Sequence, residues 1–205
     1  MEPVFRRASI IRGLATCLVL IFAAASAASP LQNEQGPYVE KTGSRIEFHA
    51  TSTFAKVVGV FHSWEADMKM PTNKFEDSSL ALEIEAASVA TGSGIRDKEV
   101  KGKNFFSVQE HPKVHFASKR IVADSGPSKY HMEGELTMRG ITQPVSVSIT
   151  LLPQTDGHEW MDGDFSFNRR DFGMTHNVPL DKVGNTILVQ FHLDVVNGSA
   201  SAGQK

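Results

Sequence analysis

"VSVSITL", residues 145–151, decides how this chain folds. Val145, Val147, Ile149 and Leu151 alternate with Ser146, Ser148 and Thr150. Successive side chains of an extended strand point to opposite faces, so period two marks a half-buried strand with one dry and one wet face. The same period recurs on both sides of this stretch. Leu80, Leu82 and Ile84 alternate with Ala81, Glu83 and Glu85. Val114, Phe116 and Ser118 alternate with His115, Ala117 and Lys119, and Ile187, Val189, Phe191 and Leu193 with Leu188, Gln190, His192 and Asp194. Further strands are expected at Ser44–Ala50, Val57–Met70, Lys129–Met138 and Glu159–Phe167. Turn signals separate them, among them Pro71-Thr72-Asn73, Asp124-Ser125-Gly126-Pro127, Arg139-Gly140 and Val183-Gly184-Asn185. The result is an all-β chain of about eight strands. They are antiparallel, because buried parallel strands read as unbroken apolar runs. No long amphipathic helix is available to cover a sheet, which leaves a closed barrel or a two-sheet sandwich. A transmembrane barrel is disfavoured, because Glu83, Glu85, Lys119 and Asp194 stand mid-strand on the polar face.

The 205 residues make one domain with tails. Residues 1–27 read as a signal peptide. Arg6, Arg7 and Arg12 form its positive region, Ile10–Phe22 its apolar run, and Ala25-Ser26-Ala27 a small-x-small cleavage site. The apolar run is shorter than the roughly 20 residues of a membrane span. Export to the periplasm or secretion is expected, with no membrane span in the mature chain. Residues 28–37 are a loose leader to the domain at 38–197, and 198–205 a loose tail. Asn197-Gly198-Ser199 matches a glycosylation sequon formally, at the tail. Cys17 is the only cysteine. It sits inside the apolar run, against a lipid-anchor reading, and cleavage removes it. The mature chain then has no disulfide and depends on core burial, for which about 175 residues suffice. Without residues 1–27 the basic count falls from 21 to 18 and the acidic count from 23 to 22, net −4. Nothing here suggests nucleic-acid binding, which calls for a concentrated basic surface.

The stretch "TGSGIRDKEVKGKNFFSVQEHPKVHF", residues 91–116, concentrates residues that could carry chemistry. Gly92-Ser93-Gly94 lacks the frame and the Lys-Ser/Thr of a phosphate loop. Ser93 is placed to cap a short helix over Ile95–Gly102, Arg96-Asp97 to anchor the loop, and Phe105-Phe106 to plug one end of a barrel. His111 and His115 cannot share a helix face across Pro112. On a strand they lie roughly 13 Å apart, so no metal site is expected. Asp171-Phe172-Gly173 lacks the other parts of a kinase. It reads instead as a tight turn, with Gly173 at positive φ, Phe172 packed and Asp171 or Arg170 tying it down. No catalytic constellation is assigned.

Four stretches carry a family likeness: "SRIEFHATSTFAKVVGVF" (44–61), "ASVATGSGIRDKEVKGKNFFSVQEHPKVHFAS" (87–118), "GELTMRGITQPV" (134–145) and "FNRRDFGM" (167–174). Together they resemble the YceI-like, polyisoprenoid-binding family across essentially the whole mature chain. The resemblance implies an eight-stranded antiparallel lipocalin-like barrel with a short helical connector. It also implies an apolar lumen for a polyisoprenoid or an isoprenoid quinone-like lipid, without other cofactor or metal. The inward positions expected to line that lumen are Phe48, Leu82, Ile84, Phe116, Val147, Ile149, Phe165, Val189 and Phe191. Arg96, Arg169 and Arg170 are candidates for meeting a head group at the mouth. The departure is at Thr51-Ser52-Thr53, where many members carry a His before the Thr. A long-chain isoprenoid lipid is the expected partner, and a homodimer is left open. The alternatives are a protein-interaction or stress module on the same barrel, or a hydrolase or isomerase of a lipid-like substrate.

Overall fold

The computed structural model describes residues 36–154, 157–175 and 182–196. The signal-peptide reading, its cleavage site and the sequon lie outside them.

Ten strands form one antiparallel sheet, rather than the eight expected from periodicity. In chain order they are β1 (Tyr38–Thr51), β2 (Lys56–Phe61), β3 (Trp64–Lys69), β4 (Ser79–Glu85), β5 (Val89–Ala90), β6 (Lys113–Ala123), β7 (Lys129–Met138), β8 (Ile141–Pro153), β9 (His158–Asn168) and β10 (Thr186–Val196). One helix, α1 (Gly94–Lys101), follows β5. The sheet order is β3-β4-β6-β7-β8-β9-β10-β1-β2-β5.

The two extra strands have physical causes. The expected single strand Val57–Met70 is two strands that break at His62-Ser63, both exposed. β2 pairs with β1 near one end of the sheet, and β3 pairs with β4 at the other. Only two residues join them, so the sheet must curl until its ends meet. Lys41 on β1 reaches Glu65 on β3, and the Glu85 amide donates to the Ser63 carbonyl at 3.0 Å. The inward parity slips at this corner: Val57, Gly59 and Phe61 face in before it, and Trp64, Ala66 and Met68 after it. β5, only two residues long, adds to the edge of β2. A bulge in β6 between Ser118 and Arg120 makes a second slip, so Phe116 and then Ile121 face the core.

The β7–β8 hairpin turns on Arg139 (φ +53°) and Gly140 (φ +73°). Positive φ at both central positions is the geometry whose twist suits a two-residue hairpin. The Arg139 guanidinium donates to the carbonyls of Lys103 and Phe105, so the same turn anchors the segment after α1.

Inside, the barrel has a solid half and a hollow half. Ile149, Leu151, Met161, Leu193 and Val195 fill one end, with Met161 and Leu193 fully buried. Toward the other end the inward side chains line a cavity.

Candidate functional site

The cavity has a volume of about 430 Å³ and overwhelmingly apolar walls. This lies within the size range of small-molecule sites. Of the nine residues expected to face a lumen, Phe48, Leu82, Ile84, Phe116, Val147, Phe165, Val189 and Phe191 line it. Ile149 does not. It faces inward but is packed in the solid half, only 2% exposed. Sequence reasoning also missed wall residues. Leu80 and Leu136 were readable from the same alternation, but Met174 and Val183 come from irregular segments that carry no periodic signal.

Three glycines explain how a barrel wall carrying so many phenylalanines stays hollow. Phe48 pairs with Gly59 on β2, and Phe191 pairs with Gly163 on β9. Phe116 lies diagonally across Gly134 on β7. A Cβ at Gly59 would stand 2.3 Å from the Phe48 ring, and one at Gly163 would stand 2.1 Å from that of Phe191. Each ring therefore lies against the backbone of its neighbour strand, in space that any other residue would fill. Gly163→Ala is expected to push the Phe191 ring off the wall and into the cavity. The overpacking should lower stability by about 1–3 kcal/mol in denaturant unfolding. Gly134→Ala should cost more than Gly163→Ala, because its Cβ also meets the Ala117 carbonyl oxygen at 2.7 Å. Wild-type stability in both variants would contradict this account of the walls.

The mouth is built by the β1–β2 loop, α1 and the segment after it. Phe106 packs edge-on to Phe61 with ring centroids 5.6 Å apart, and lies 6.1 Å from Phe48. Phe105 is half-buried beside it, and both rings face the cavity. Ser93 occupies the cap position of α1, but its side chain makes no capping bond there. Its carbonyl accepts from the Asp97 amide at 2.8 Å. Asp97 instead reaches back and accepts from the Thr91 hydroxyl (2.6 Å) and the Thr91 amide (2.7 Å). These two bonds, the hydroxyl's first, hold the Asp97 carboxyl below the ordinary aspartate range. The Arg-Asp pair thus ties the loop to the helix, with Arg96 Nη1 donating to the Thr91 carbonyl at 3.4 Å.

The three arginine candidates have different surroundings. Arg96 lines the cavity rim. Arg169 also borders the cavity but is buried, and burial lowers its pKa from the ordinary arginine value. It donates to the carbonyls of Gly184 (2.9 Å), Met174 (2.7 Å) and Val183 (3.1 Å). Arg170 is exposed, does not border the cavity, and donates to the Asn185 side chain at 3.0 Å. In the turn that follows, Gly173 has φ +70° and Phe172 is fully buried. The Asn168 side chain caps its start by accepting from the Arg170 amide. The Asp171 carbonyl accepts from the Gln143 side chain at 3.4 Å. Among the described residues no cluster of three or more His, Cys, Asp or Glu is arranged to hold a metal ion. His115 lies 3.5 Å from Glu83 on the outer face.

The family model described as the YceI-like domain matches residues 38–195, the whole of the sheet but its last residue, Val196. The chain belongs to the YceI-like family. Curated relatives include UPF0312 proteins of Pseudomonas savastanoi pv. phaseolicola, 27% identical over 126 residues, and of Shewanella denitrificans, 26% identical over 142 residues. The first alignment covers 59% of this chain and 65% of the relative, and the second 63% and 74%. The chain thus spans a little under two thirds of the length of the Pseudomonas relative. Among solved structures, Burkholderia cenocepacia BcnA superposes with a TM-score of 0.69 at 25% identity, over 76% of this chain and 98% of its own. A polyisoprenoid binding domain from Saccharophagus degradans, implicated in plant cell wall breakdown, superposes with a TM-score of 0.61. At 12% identity, over 79% of this chain and 98% of its own, it shares the fold.

Proposed function

We propose that this YceI-like chain binds a long-chain amphiphile of the polyisoprenoid class, such as a polyprenol or an isoprenoid quinone, with its tail in the barrel cavity. The observation that carries the reading is the cavity itself, an apolar space of about 430 Å³ in which Phe48, Phe116 and Phe191 lie against glycines of the neighbouring strands. The Saccharophagus neighbour, described as a polyisoprenoid binding domain, supports the choice of ligand class. Binding needs no reacting group. Burying alkyl chain contributes about 0.8 kcal/mol per CH₂, so about three isoprene units give on the order of 10 kcal/mol gross, before the costs of immobilisation. Arg96, at the rim beside Thr51, Ser52 and Ser93, is the proposed contact for a polar head. Arg169 is proposed to hold the wall instead, since three carbonyls occupy its nitrogens. Export by residues 1–27 would put the carrier in the periplasm or outside the cell, where it would transport, store or protect such a lipid.

The test is a series of prenols of increasing length, titrated by calorimetry. Affinity is expected to climb steeply with each isoprene unit until the cavity is filled, at about three units, and then to level off. An affinity independent of chain length would overturn the reading.

A further inference from the structure

Single exposed apolar side chains are ordinary on a protein surface. Here the two most exposed large ones among the described residues are Ile95, 87% exposed, and Phe54, 74% exposed, and both border the cavity. They come from different elements. Phe54 stands on the β1–β2 loop and Ile95 in the first turn of α1. Neither has a covering partner within the described chain, although Phe106, also at the mouth, is buried.

Their setting is basic. Lys56 follows Phe54, and Arg96, Lys98 and Lys101 follow Ile95. The amide of Lys182 donates to the Thr53 hydroxyl, which brings a further lysine to the loop. The acids of the same stretches are Asp97, bonded to Thr91, Glu99, which also lines the cavity, and Asp181, next to Lys182 in sequence. Five basic residues against three acidic ones leave these stretches net positive, in a chain whose formal net charge is −2. An apolar pair flanked by net basic stretches and placed at the opening of an apolar cavity matches an anionic lipid surface in both chemistry and charge.

We propose that the cavity mouth docks on an anionic bilayer, with Phe54 and Ile95 inserted among the acyl chains and the surrounding lysines on the headgroups. The proposal rests on the carrier reading above. Docking in this orientation sets the opening against the bilayer, so an amphiphile could enter or leave without crossing water.

The experiment uses the full chain, with the same N-terminus in every variant, so that residues 1–35 contribute equally. A tryptophan placed at the rim reports locally. Phe54→Trp, Ile95→Trp and, at the solid end of the barrel, Leu152→Trp are mixed with vesicles of phosphatidylcholine and phosphatidylglycerol carrying brominated acyl chains. Leu152 is itself partly exposed, so it tolerates the change. Bromine should quench most of the added emission at positions 54 and 95 and leave that at 152 unaffected. High salt, or vesicles of phosphatidylcholine alone, should weaken the effect. Lys98→Gln with Lys101→Gln should weaken vesicle affinity about 25-fold at low salt, from about fivefold per lysine. Absence of quenching at 54 and 95, equal quenching at 152, or self-association through this rim in place of vesicle binding would overturn the docking proposal. A protein that binds prenols from detergent solution but is not quenched sinks docking alone. Quenching at the rim without length-dependent prenol binding upholds docking and sinks the carrier reading.

Discussion

Arg169→Met is expected to lower the unfolding free energy by about 3–5 kcal/mol in urea or guanidinium titrations. Arg169 is 2% exposed and begins the turn after β9. Its guanidinium holds the carbonyls of Met174, Val183 and Gly184, three points on two segments that sequence alone would leave unconnected. Methionine keeps the stem volume but supplies no donor. Each carbonyl left without a partner costs about 1–3 kcal/mol. Water entering from the cavity side offsets part of that sum, which keeps the expected loss below the full total. Arg169→Lys should recover only part of the loss, because one ammonium cannot reproduce a planar fork with donors on three nitrogens. The substitution should also loosen the cavity wall, since Met174 and Val183 both line it. A Met variant within about 0.5 kcal/mol of wild type, the usual range for a surface change, would mean that Arg169 holds nothing.

The fold was largely legible because period two survives in most strands. "VSVSITL" and "ILVQFHL" each face the core as their alternation implies at Val147, Ile149, Ile187 and Phe191. The strand count was not legible by the same means, because no Gly, Pro, Asn or Asp marks the corner at His62-Ser63, where the inward parity shifts between Phe61 and Trp64.

The site was legible in kind but less so in extent. Alternation says which face a residue takes. It does not say how far along the barrel axis it lies, and that depends on strand stagger. Ile149 therefore has the right face and the wrong half. The glycine–phenylalanine contacts become visible only once Phe48 is known to pair with Gly59 and Phe191 with Gly163. Arg169 and Arg170 are adjacent in a tight helical turn, where one step of rotation separates a buried strap from an exposed side chain. No periodicity of the chain distinguishes them.

The second large effect concerns Val189. It lies mid-strand in β10 between Phe165 on β9 and Phe48 on β1, and all three line the cavity. In a packed core, Val189→Trp would force a large ring into filled space and cost about 1–3 kcal/mol or more. Beside a cavity of about 430 Å³ the indole has somewhere to go. Stability should therefore stay within about 1 kcal/mol of wild type, while the ring takes the place of the bound tail. Gln190→Trp, one residue along and exposed on the outer face, is the control. The decisive measurement is lipid per mole of protein, by mass spectrometry of organic extracts from wild type, Val189→Trp and Gln190→Trp purified without detergent. The account predicts a long-chain isoprenoid amphiphile with wild type and with Gln190→Trp, and a sharp loss with a still-folded Val189→Trp. Wild-type protein that yields no such lipid, or a stable Val189→Trp that retains it in full, would contradict the claim that this cavity holds the ligand.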